Sequence, residues 1–69
     1  MSEHTYTMIE LVGSSHATIE DAIRNAVAKA ARDHENLRWL EVQEIRGHVE
    51  DGKVAHWQVR VKIGATQDG

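Results

Sequence analysis

Asp51-Gly52 lies between two long runs rich in β-branched and apolar residues, and this dipeptide constrains the fold more than any other feature of the chain. The two-residue hairpin turn that favours Asp-Gly, type I′, places both central residues at positive φ, a conformation that this dipeptide adopts at little cost. The second half of the sequence therefore reads as one long hairpin, with strands over roughly Leu37–Glu50 and Lys53–Ile63. Trp57, Val59, Val61 and Ile63 alternate with His56, Gln58, Arg60 and Lys62, the clearest period-two pattern in the chain. A regular register from the turn sets Glu50 opposite Lys53, Leu40 opposite Ile63, Val42 opposite Val61 and Arg46 opposite Trp57. That face would cover a helix. On the other face Glu41 meets Lys62, Gln43 meets Arg60, Ile45 meets Gln58, and Trp39 comes near Gly64. Opposite charges across the ladder support this register, and a bulge near Gly47 would shift it by one residue and exchange the faces.

The first half supplies one strand and one helix. Thr5–Val12 reads as a strand with Tyr6, Met8 and Val12 on one face and Ile9 and Leu11 on the other. Two-sided apolarity implies burial on both faces, one of them by a neighbouring subunit. Gly13-Ser14-Ser15 breaks that pattern. From Ile19 to His34, the residues Ile19, Ala22, Ile23, Ala26, Val27 and Ala30 recur at helical spacing, an alanine-rich stripe able to lie close to a sheet. Thr18 with Asp21 resembles a capping box, and Glu20 and Asp21 suit the positive end of the helix dipole.

Sixty-nine residues make a single domain over residues 1–69, and one too small for a comfortable core. With no cysteine there is neither a disulfide nor a thiolate metal site, so association is the leading source of further stability. Eight Lys and Arg against eleven Asp and Glu give a net charge of −3, which argues against nucleic acid as a partner. No apolar run is long enough to cross a bilayer, and Met1-Ser2-Glu3-His4 lacks the basic start of a signal peptide, so a cytoplasmic location is expected. An indole on the outer face of a sheet is costly to leave in water, and Trp39 again points to assembly.

Several segments together resemble the dodecin family. They are Leu11-Val12-Gly13-Ser14-Ser15 at the end of the first strand, Asp21-Ala22-Ile23-Arg24-Asn25-Ala26 in the helix, the Trp39 strand, Arg46-Gly47-His48, and His56-Trp57-Gln58-Val59. No one of them is decisive, but their order and spacing are specific, and the likeness covers nearly the whole chain. The resemblance implies an α+β fold: a β-α-β-β subunit whose three-stranded antiparallel sheet wraps one helix, assembling into a hollow homo-dodecamer. It also implies a flavin-binding storage protein, with riboflavin or FMN as ligand and FAD admissible, that buffers free flavin and quenches its photochemistry. In that family a tryptophan stacks on the isoalloxazine ring and flavins lie in pairs between two indoles, while a glutamine of the last strand hydrogen-bonds the ring's polar edge. These roles fall on Trp39 and Gln58. Arg46 aligns with an arginine that contacts ligand or a neighbouring subunit, against the plainer reading of a snorkelling side chain at a sheet end that Glu44 pairs with. Trp57 stands where the family has Tyr and reads as packing. One departure matters: many bacterial members carry Phe-Arg after the last glycine, where this chain has Ala65-Thr66, which argues against tight binding of the phosphates of FMN or coenzyme A.

The chemistry of the pair is sensible apart from the resemblance. Indole is the most electron-rich aromatic side chain and isoalloxazine is electron-poor and flat, while an amide matches the donors and acceptors of a pyrimidine edge. Trp39 and Gln58 nonetheless stand six residues apart along the ladder, roughly 20 Å. One subunit would struggle to place both on one ring, so the site is expected to be shared between subunits. From composition alone, an interface tryptophan without ligand is the stronger reading, and the resemblance reverses that order. The alternative is a structural assembly whose tryptophans only seal interfaces. His4, His16, His34, His48 and His56 show no metal-ligand spacing, and in the assigned register His48 and His56 lie on different faces, so no metal is expected. No phosphate loop or activated nucleophile is present, and the chain reads as a binding protein and not an enzyme.

Overall fold

The computed structural model describes residues 4–67; Met1–Glu3, on which the signal-peptide reading partly rests, and the last two residues of the expected 1–69 domain lie outside the described residues. Four elements follow one another: β1 (Tyr6–Ser15), α1 (Ile19–Asp33), β2 (Leu37–Glu50) and β3 (Lys53–Thr66). They form the expected β-α-β-β unit, with one antiparallel sheet in the order β1-β3-β2. Asp51 and Gly52 take φ values of 53° and 75°, as a two-residue hairpin turn of this hand requires. Helix α1 starts where expected, with the Thr18 hydroxyl accepting the Asp21 N–H at 2.9 Å.

The alanine stripe does what its small side chains permit. Ala22, Ala26 and Ala30 pack on Val59, Val61 and Ile63 of β3, and all six are buried. Gly13 is part of the same contact, because a Cβ there would collide with the carbonyl of Ala22. The expected break at Gly13-Ser14-Ser15 is therefore corrected: these residues continue β1, opposite Val59, Gln58 and Trp57. The glycine serves close approach to the helix and leaves the strand intact.

The hairpin register follows the turn at Glu50 and Val49 and again from Val42 to Trp39, and departs from it between those stretches. Glu50 faces Lys53, and Val42, Glu41 and Leu40 face Val61, Lys62 and Ile63. Between them the ladder is shifted by one residue, with Ala55 extra on β3 and Gln43 extra on β2. Arg46 consequently faces Gln58 and not Trp57, Ile45 faces Val59, and Glu44 rather than Gln43 faces Arg60. Arg46 thus belongs to the outer face, away from the helix. His48 faces His56 on that same side, with the two rings stacked 4.9 Å apart, which corrects their expected separation.

Helix α1 lies over β1 and β3 and leaves β2 beyond Leu37 largely uncovered. Fifteen helical residues span about 22 Å, whereas fourteen residues of strand span about 46 Å. Leu40, Val42, Ile45 and Val49 are therefore exposed on the helix-facing side of β2, and Tyr6, Met8, Val12 and Trp39 are exposed on the other side of the sheet. The unit is long and thin, 56 × 20 × 13 Å, with apolar surface open on both faces.

Candidate functional site

The outer face of the sheet carries every residue that the sequence marks for binding. Trp39 lies opposite Gly64, and its indole covers that glycine so closely that a Cβ at position 64 would fall on the ring. Gly64 is buried for this reason, although it stands on the face away from the helix. Strand β1 brings Tyr6 against the indole in an edge-on contact, with ring centroids 5.1 Å apart. The indole N–H donates to the Glu41 carboxylate at 2.9 Å. Trp39 remains 39% exposed, so it is a seated, oriented aromatic surface with part of its area open.

Farther along the same face stand Gln58 and Arg46, cross-strand partners of one another. Among the described residues nothing hydrogen-bonds the Gln58 amide, which leaves a donor and an acceptor for a ligand. Arg46 approaches Glu44 at 3.9 Å, Glu44 approaches Arg60 at 3.6 Å, and Arg60 donates to Glu10 at 2.7 Å. This line of charges crosses all three strands. The Arg60 hydrogen bond holds the Glu10 carboxyl below its ordinary pKa, and Glu10 in turn raises that of Arg60. Gln58 and Arg46 are brought together, while Trp39 stands six positions away along β3, at Gly64.

Tyr6, Glu41 and Arg38 are near neighbours of Trp39 that sequence reading did not single out. For Glu41 a signal was present, since strand alternation sets residues 39 and 41 on one face. Tyr6 and Arg38 depend on how β1 and β2 pair with β3. Arg38 is an extra residue between the Leu37–Ala65 and Trp39–Gly64 pairs, and its Nε donates to the Thr66 hydroxyl at 2.9 Å.

Known proteins resemble this chain along its length. The dodecin family model matches residues 5–68. A dodecin of Thermus thermophilus is 41% identical over 59 residues, 86% of each chain. The solved dodecin of Streptomyces davaonensis superposes with a TM-score of 0.93 at 44% identity, covering 99% of this chain and 100% of that one. The dodecin of Streptomyces coelicolor gives 0.93 at 46% identity, covering 100% of this chain and 99% of that one.

Proposed function

The chain belongs to the dodecin family, and from that premise we propose that it is a flavin-storage protein in which Trp39 stacks on the isoalloxazine ring. The observation that carries this reading is the seated indole. Trp39 is pinned by Gly64 beneath it, Tyr6 at its side and Glu41 at its N–H, yet part of it stays open to a planar ligand. A pre-oriented aromatic loses little freedom on binding, and an offset stack is worth about 0.5–1.5 kcal/mol beyond the area it buries. The uncommitted amide of Gln58 suits the polar edge of the same ring.

Both residues cannot reach one ring from one subunit, because six strand positions amount to roughly 20 Å. The proposed site is therefore shared: Trp39 of one copy stacks a flavin whose polar edge meets Gln58 of another. The apolar surface open on both faces of the sheet supports association, and a closed homo-dodecamer is the assembly proposed. Flavins lie in pairs between two such indoles, where electron transfer from indole to the excited flavin quenches emission and limits photochemistry. Stacking of this kind leaves little room for a substrate beside the ring, so the role is to hold and buffer flavin and not to turn it over.

Titration of riboflavin, FMN and FAD into wild type and Trp39→Ala, followed by flavin fluorescence, tests the reading. Wild type quenches emission, and Trp39→Ala loses most of the quenching while eluting as the same oligomer in size-exclusion chromatography. Undiminished emission at saturating wild-type protein, or a colourless assembly that takes up no flavin, would show that the tryptophans only seal interfaces. Tight flavin binding by dissociated monomers would overturn the shared site.

A further inference from the structure

The outer face carries three arginines, and two of them are committed to carboxylates: Arg60 to Glu10 and Glu44, and Arg46 to Glu44. Arg38 differs. Among the described residues no carboxylate pairs with it, and its one polar contact is the hydrogen bond from Nε to the Thr66 hydroxyl. As the extra residue of a bulge it escapes the strand's alternation. Its guanidinium is thereby fastened beside Thr66, whose cross-strand partner on β1 is Tyr6, at the rim of the aromatic patch that Tyr6 forms with Trp39. Anchoring through Nε leaves both terminal amino groups, the pair that meets an oxyanion in a fork, uncommitted. An oriented, uncompensated positive charge one residue from a stacking surface is suited to an anion carried by whatever stacks there.

We propose that Arg38 binds the phosphate of a flavin mononucleotide stacked on Trp39, so that this chain takes FMN in preference to riboflavin. The proposal rests on the flavin reading of Trp39 and adds the class of flavin. It also reverses the expectation drawn from Thr66, because the residue that argued against phosphate-bearing ligands is the one that holds the guanidinium in place. Arg38 is a specificity-determining residue here, and Thr66 is a positioning residue that acts through it.

Quenching titrations with riboflavin and with FMN, at low and at high salt, test the assignment in wild type, Arg38→Gln and Thr66→Val. Wild type should bind FMN about tenfold more tightly than riboflavin at low salt, as expected for a charge-assisted contact, and added salt should shrink that advantage. Arg38→Gln should bring FMN down to the level of riboflavin and leave riboflavin unchanged. Thr66→Val keeps the charge and removes the anchor, and should weaken FMN alone and by less. Equal affinities for the two flavins in wild type, or an Arg38→Gln loss shared equally by both, would overturn the role of Arg38 while the Trp39 reading stands. Quenching of neither flavin by wild type would remove the Trp39 reading, and this inference with it.

Discussion

Gly64→Ala is the most searching perturbation of the Trp39 platform, because it adds one methyl group beneath the indole and touches nothing that a ligand would meet directly. Gly64 lies on the central strand, between Met8 on β1 and Trp39 on β2. A Cβ there falls on the indole, so the ring must lift or swing aside. The cost follows from what the ring now covers. Trp39 is 39% exposed, so about 150 Å² of a side chain presenting roughly 250 Å² is withdrawn from water, worth ~4 kcal/mol at ~25 cal/mol per Å² as an upper bound. Raising the ring by a methyl radius forfeits about a third of that, and replacing a strand glycine by alanine returns about 0.5 kcal/mol. A net loss of about 1 kcal/mol is expected, read as a lower urea midpoint at fixed protein concentration, since association contributes to apparent stability. In a Trp57→Phe background the emission reports Trp39 alone, and it should move to the red as the ring enters water. Flavin quenching should fall in parallel. An unchanged emission maximum together with an unchanged midpoint would refute the claim that Gly64 seats the indole.

Two glycine substitutions elsewhere separate collision from backbone strain. Gly13→Ala meets the Ala22 carbonyl and forces α1 off the sheet, so it should lose about 2–3 kcal/mol in urea unfolding. Gly52→Ala has open space around it and a φ of 75°, and should lose only about 1 kcal/mol by the same measurement. The ion pair between Glu10 and Arg60 sets a pH dependence of stability. The folded-state pKa of Glu10 is lowered, chiefly by its hydrogen bond from Arg60, so its contribution is present above the unfolded carboxyl's pKa and is lost as pH falls through the folded value. Glu10→Gln should therefore melt below wild type at neutral pH, and the gap should close on acidification through the carboxylate range; a gap independent of pH would sink that account.

Local patterns made the elements legible, and non-local pairing decided what they bring together. The Asp51-Gly52 turn and the alternation of Trp57, Val59, Val61 and Ile63 state the hairpin directly, because both signals act within a few residues. The bulges at Ala55 and Gln43 have no comparable signal, since either residue would suit a regular strand and its displacement depends on packing across the ladder. Extrapolation from the turn was therefore wrong at Arg46 and His48, inside the shifted stretch. It was right again at Trp39, because the two bulges lie on opposite strands and cancel. Tyr6 against Trp39 and Arg38 against Thr66 were out of reach for a related reason: each joins segments far apart in the chain through the register of β3.

The strand order carries a consequence for how the molecule comes into being. Strand β3 is the middle of the sheet and the last of the four described elements, while β1 and β2 are its two neighbours and do not pair with each other. A nascent chain that has emerged only as far as Glu50 holds two strands and a helix with no sheet to join them. The hairpin can zip locally once Lys53–Thr66 is free, but Tyr6 must then find Thr66 across nearly the whole sequence, a slow, high-contact-order closure. Assembly of the sheet is thus expected to wait until β3 is available, whatever part of the chain has already emerged. Any interruption of translation after Glu50 removes the centre of the sheet and leaves behind only its edges.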